Sequence, residues 1–231
     1  DAGEQMWCTV YGGRNHFPQP HSRHAFHDRI VAAAAGRWDA IYGFEMMNEY
    51  IVNKWDEQEV RDAGRDLRSK VPAGTRIALS SPRFAHEQID GVDATNEEMA
   101  ECIGLLYGGS DHGGANVMTV HKMRDTRSKW ADPFSYNPFS LGLPLIDNEP
   151  FGDGASAGGD TSDPALISAD YQRTCDAGWL LYVAHPASWC IWNKRLPAEY
   201  PLRQYAFLSE VPHIDETCQR LREIRGDDGG E

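Results

Sequence analysis

At 231 residues the chain is long enough to bury a sizeable core as one domain, though short of the roughly 250 residues a β/α barrel normally takes. Its formal charge of −13, with acidic residues scattered rather than blocked, argues against nucleic acid and anionic membrane, both of which need basic patches; a neutral or cationic ligand fits better. No run of about 18 apolar residues offers a membrane span, and the first residues lack the charged and apolar regions of a signal peptide, so the compartment stays open.

Short apolar runs alternate with helix-like stretches, the pattern of a parallel sheet covered by helices. Met6 to Gly12 reads as the first strand. His21 to Gly36 follows as a helix, with Ala32 to Ala35 favouring it and Gly36 as its C-cap. His21, His24 and His27 read as a solvated helix start, because the first and third lie about 120° apart on a helix and do not converge on a metal. Ile41 to Glu49 is the second strand. Asp56 to Val71 then sets Val60, Ala63, Leu67 and Val71 at helical spacing on one face.

Arg76 to Ser81 is the third strand, and Thr95 to Tyr107 a helix opened by the capping box Thr95-x-x-Glu98. Val117 to Met123 and Leu143 to Glu149 are further strands. Ser168 to Ala184 carries Tyr171, Cys175, Trp179 and Tyr182 at three- and four-residue steps, as a half-buried helix would. Ser188 to Asn193 is the sixth strand, and Leu202 to Arg225 holds helix interrupted by Pro212. Several strands are apolar almost throughout, as strands buried on both faces are. Arg124 to Gly142 and Phe151 to Ser162 are long loops following strands, where functional loops concentrate. Residues 1–225 form one domain in this reading, and 226–231 a flexible acidic tail.

The five cysteines, Cys8, Cys102, Cys175, Cys190 and Cys218, are widely spaced with no C-x-x-C, so they read as buried structural thiols. The glycine pairs lack phosphate-loop spacing, and Asp153, Asp160 and Asp163 lack EF-hand spacing, so no metal is expected. Two apolar runs each end in a carboxylate beside an asparagine: Phe44-Glu45-Met46-Met47-Asn48-Glu49 and Leu145-Ile146-Asp147-Asn148-Glu149. A glutamate closing a buried strand is costly without a role, and two of them suggest a converging acid/base pair. Glu45 reads instead as a buried, paired structural carboxylate.

These two segments resemble the fourth- and seventh-strand motifs of clan A glycoside hydrolases, in particular the cellulase-like family five. Val120-His121-Lys122-Met123 is similar to that family's sixth strand, and Ser188-Trp189-Cys190-Ile191-Trp192 to its eighth. The resemblance spans roughly Met6 to Asn193. It implies a (β/α)8 TIM barrel lacking its first two strands in this chain, with an upstream segment or another chain completing it.

It also implies a retaining hydrolase of polysaccharide or oligosaccharide without a cofactor, in which Glu49 is the acid/base and Glu149 the nucleophile, about 5 Å apart. Asn48 would bind the sugar 2-hydroxyl, Trp192 stack on the ring and His121 orient substrate. Arg14 and His16 would line the cleft. The sequence departs from the family at Tyr50, Pro150 and Met123; the last replaces a tyrosine, and Tyr136 is the candidate to supply its hydroxyl. An extracellular setting suits a polysaccharide hydrolase. The alternative is a catalytically decayed carbohydrate-binding or structural barrel.

Overall fold

The computed structural model describes residues 5–12, 19–51, 53–81, 88–89, 92–93, 96–120, 141–148, 164–178, 181–182 and 214–226. They fall into two compact units, one of Asp1–His121 with Asp132–Ile146, the other of Lys122–Ala131 with Asp147–Glu231.

The first unit is built on a three-stranded parallel sheet of β1 (Met6–Tyr11), β2 (Ile41–Met47) and β3 (Arg76–Ser80), in that order. In the central strand, β2, Phe44, Met46 and Met47 are buried. Gly43 belongs there for a steric reason: a Cβ would stand 2.6 Å from Trp7 and 2.8 Å from Arg76. Helix α1 (Pro20–Ala34) joins β1 to β2, with proline in its first turn and Gly36 just beyond its end at φ 77°.

Helix α2 (Glu57–Arg68) joins β2 to β3. Its Asp56 and Glu59 form a capping box, and Val60, Ala63 and Leu67 are buried on one face as the spacing predicts, joined by Gly64, while Val71 lies beyond the end of the helix. A two-residue antiparallel hairpin, β4 (Gln88–Ile89) with β5 (Val92–Asp93), precedes α3 (Asn96–Tyr107).

The sheet order corrects the barrel expectation. A barrel needs every strand laddered to two neighbours until the ring closes. Here the ladder runs through three strands and then changes character at the far edge of β3. There the Asn116 side chain accepts from the Ile77 N–H at 2.8 Å, and the Tyr107 hydroxyl accepts from the N–H groups of Leu79 and Ser80 at 3.0 Å each. That hydroxyl also donates to the Ser80 carbonyl at 2.9 Å. Side chains thus occupy N–H groups of that edge, while the Ile77 carbonyl accepts from the backbone N–H groups of Asn116 and Val117 at 3.0 and 3.3 Å. Strand β6 (Met118–Val120) lies beyond, and its Met118 N–H donates to Pro144 O at 2.8 Å, just before β7 (Leu145–Asp147). Among the described residues no closed ring of strands exists, and the sheet of the first unit is open.

In the second unit α4 (Pro164–Asp176) packs against α5 (Ile214–Arg225), and β8 is the short strand Leu181–Tyr182. Helix α4 starts earlier than its periodicity suggests and ends before Gly178, whose φ of 72° breaks the helical backbone. Its buried side runs through Ser168 and Thr174, and Cys175 is exposed, contrary to the expected face. Cys8, Cys102 and Cys218 are partly exposed, so none of the four described cysteines is the fully buried thiol expected. Helix α5 starts two residues after Pro212, consistent with that residue as a breaker. The expected strand Ser188 to Asn193 lies outside the described residues.

Candidate functional site

Parallel α/β sheets present loops at the carboxyl ends of their strands, and ligands bind there. At that end β1 finishes at Tyr11, β2 at Met47 and β3 at Ser80. The turn leaving β2, Asn48 to Trp55, is pinned from both sides. Asn48 N–H donates to Tyr11 O at 2.9 Å, extending the β1–β2 ladder by one bond, and the Trp55 indole N–H donates to Gly12 O at 3.0 Å. From the other flank, Ser80 Oγ accepts from the Tyr50 N–H at 3.0 Å. The Tyr50 side chain is buried, and its hydroxyl donates to Cys102 O at 3.3 Å. A proline at position 50 would have no N–H for Ser80, so this anchor requires a residue other than proline.

Glu49 sits at the centre of the turn, half-buried, with φ 39°. A non-glycine residue in left-handed backbone costs about 1–2 kcal/mol and persists only where its surroundings overdetermine it. Asn53 supplies that constraint: its amide nitrogen donates to Asn48 O at 2.7 Å and Glu49 O at 3.3 Å, and its backbone N–H donates to Glu49 O at 3.0 Å. The result is a turn whose backbone is fixed at Glu49, at the carboxyl end of β2.

Behind this end lies a buried polar relay. His27 of α1 is fully buried, which overturns the solvated reading for that member of the histidine trio, while His21 and His24 are exposed as expected. Its Nδ1 is 2.7 Å from Asp66 of α2, and its Nε2 is 2.8 Å from the Tyr11 hydroxyl. An ionised Asp66 places the ring proton on Nδ1, leaving Nε2 to accept from Tyr11. Burial holds His27 below the ordinary histidine range against the opposing pull of Asp66. Partial burial raises the Asp66 carboxyl, but hydrogen bonds from His27 and Lys70 outweigh it and bring the carboxyl below its usual range.

Lys70 stands 3.0 Å from Asp66 and 2.7 Å from Asp28, and Arg23, also buried, reaches Glu59 at 3.5 Å and lies over the Trp55 ring. The signal for this relay was the four-residue step from Arg23 to His27, which puts both on one helical face. Reading polar residues as solvated concealed it.

Glu45 is buried and paired, as expected, and two of its partners are neutral hydroxyls. Thr9 of β1 donates to it at 3.1 Å and Thr119 of β6 at 2.7 Å. Thr119 also hydrogen-bonds the Tyr107 hydroxyl, whose ionisation burial pushes far up.

Of the residues singled out from the sequence, Asn48 and Glu49 stand at the strand end just described. Glu149, His121, Trp192, Arg14, His16 and Tyr136 lie outside the described residues. In the second unit the residue before Glu149, Asn148, is buried. Among the described residues no cluster of three or more metal-ligating side chains forms, and no helix is long and apolar enough to cross a membrane. Comparison with protein-family models and with curated proteins found no match.

Proposed function

We propose that the protein is a retaining glycoside hydrolase of polysaccharide or oligosaccharide substrates, with Glu49 as acid/base and Glu149 as nucleophile. The observation that carries this reading is the Glu49 turn: a glutamate whose backbone is held in a costly conformation at the carboxyl end of a parallel strand, by bonds to β1 and β3 and by Asn53 of the turn itself. Such placement suits a group that must meet one reacting atom at fixed distance. The Asn-Glu pairs that close two strand-like runs supply the second carboxylate by sequence.

In the proposed reaction Glu149 attacks the anomeric carbon and forms an ester to the sugar while Glu49 gives its proton to the departing glycosidic oxygen. Glu49, now ionised, takes a proton from water as that water attacks the same carbon and releases Glu149. Asn48 would bond the 2-hydroxyl more strongly as positive charge develops at the adjacent carbon, which lowers the barrier rather than merely tightening binding.

The test is turnover of aryl glycosides and a polysaccharide panel by the wild type, Glu49→Gln and Glu149→Gln. The reading expects Glu149→Gln to abolish turnover. It expects Glu49→Gln to keep glycosylation by an activated aryl leaving group but stall at the ester, with azide restoring release. Glycan binding without turnover in the wild type would mark a binding protein and overturn the assignment.

A further inference from the structure

We propose that the outer edge of β1 and the apolar groove beside it take up an extended peptide as an added antiparallel strand, with the peptide's C-terminal carboxylate on Arg37. The backbone makes the first half of the argument. Tyr11 turns its carbonyl toward β2, where it accepts from Asn48, and the β1–β2 register continues through Thr9 with Glu45. Alternation therefore turns the N–H and C=O groups of Cys8 and Val10 to the opposite edge. Among the described residues nothing pairs with them there. A free edge of this kind is a template for another strand.

The groove makes the second half. A cavity of about 460 Å³ lies between α1 and the β1–β2 face of the sheet, lined on the helix side by Phe26, Ile30 and Ala33 and on the sheet side by Cys8 and Val10 of the edge strand and by Phe44. Its volume is within the range of ligand sites. Met6 at one end is 59% exposed, one of two large apolar side chains so exposed among the described residues. Chain-like occupants of other kinds fit less well. A plain amphiphile would cover the Cys8 and Val10 backbone groups without bonding them, at a cost of about 1–3 kcal/mol for each group left unpaired. A second copy would bring another −13 charge to the same edge.

Charge sets the direction. Arg37 is the one charged residue of the lining, it is exposed, and no described acidic group pairs with it. It belongs to the end where β1 begins, since Gln5 bonds Asp39 O and Met6 pairs with Ile41. A strand running antiparallel to β1 finishes at that end and brings its carboxylate to the guanidinium, whereas a parallel one starts there with an ammonium. This reading is independent of the hydrolase assignment.

The test is fluorescence anisotropy of the whole chain with a fluorescein-labelled hexapeptide of alternating valine and threonine ending in a free carboxylate. Saturable binding is expected. Amidating the carboxylate, or Arg37→Ala, should weaken it about fivefold. Val10→Pro should weaken it at least tenfold, because proline is tolerated on an edge strand yet removes the outward N–H. Ala33→Trp, which fills the groove from the exposed face of α1 without touching the strand, should do the same, so misfolding of one variant cannot imitate the result. No saturable binding, or binding unchanged by both Val10→Pro and Ala33→Trp, overturns the proposal. So does displacement by dodecanoate with no effect of Val10→Pro, which marks an amphiphile site, or a dimer in sedimentation that Val10→Pro dissolves.

Discussion

Replacing His27 by alanine tests whether the buried relay holds the carboxyl end of the sheet. The ring is fully buried, so its removal leaves a cavity of roughly 60 Å³, which at about 24 cal/mol per Å³ costs near 1.5 kcal/mol. Loss of the bonds to Tyr11 and Asp66 adds about 1 kcal/mol each, and no further penalty follows because Tyr11 can turn its proton to Arg23 O, 3.2 Å away, and Asp66 keeps Lys70. The expected loss is about 3–4 kcal/mol, a large share of the roughly 5–15 kcal/mol a domain has. Urea unfolding at pH 7.5, followed by tryptophan fluorescence and circular dichroism, measures it.

The pH dependence gives a second readout with a definite sign. His27 has its proton affinity lowered by folding, so the unfolded chain, titrating near 6.5, binds the proton first as pH falls. The contribution is complete above pH 6.5 and is lost as pH drops below that value toward the folded pKa. Asp66 acts in the same direction lower down, its contribution present above its unfolded pKa near 3.8 and lost as pH falls through its depressed folded value. His27→Ala should therefore flatten the slope between pH 7 and 5. A loss under about 1 kcal/mol, or equal slopes in wild type and variant, refutes the relay.

Three further outcomes follow from close contacts. Gly64→Ala would gain about 1 kcal/mol of helix propensity, but its Cβ runs into the Gly113 carbonyl and the Leu79 side chain, so a net loss of about 2 kcal/mol in urea unfolding is expected. Tyr107→Phe strands the N–H groups of Leu79 and Ser80 in a fully buried site and should cost about 3 kcal/mol, with faster amide exchange confined to β3. Glu49→Gly relieves the left-handed strain against glycine's greater unfolded entropy, so thermal unfolding should show stability unchanged or raised by up to about 1 kcal/mol while glycoside turnover disappears; a clear loss of stability would show that the carboxylate, not the backbone, holds the turn.

Much of the first unit was legible because its periodicities are local. The apolar face of α2 is written in the steps Val60, Ala63, Leu67, and three of the expected strands are β1, β2 and β3 to within a residue or two. The Asn48-Glu49 turn was also visible, as polar residues abruptly closing the apolar run of β2. Position 27 was misread because burial of a polar side chain depends on partners distant in sequence: Tyr11 lies 16 residues away and Asp66 39. The partners of Glu45 were missed for the same reason, since Thr119 is 74 residues distant.

Short-range pattern therefore determined which segments are strands and helices and where the candidate carboxylate stands, because hydrophobic spacing and capping act within a turn or two. Tertiary structure alone decided how far the sheet continues. A strand's far edge pairs with whatever backbone or side chain reaches it, and at β3 the Asn116 amide and the Tyr107 hydroxyl took N–H groups that a barrel would have given to a neighbouring strand, while the backbone before β6 took the Ile77 carbonyl.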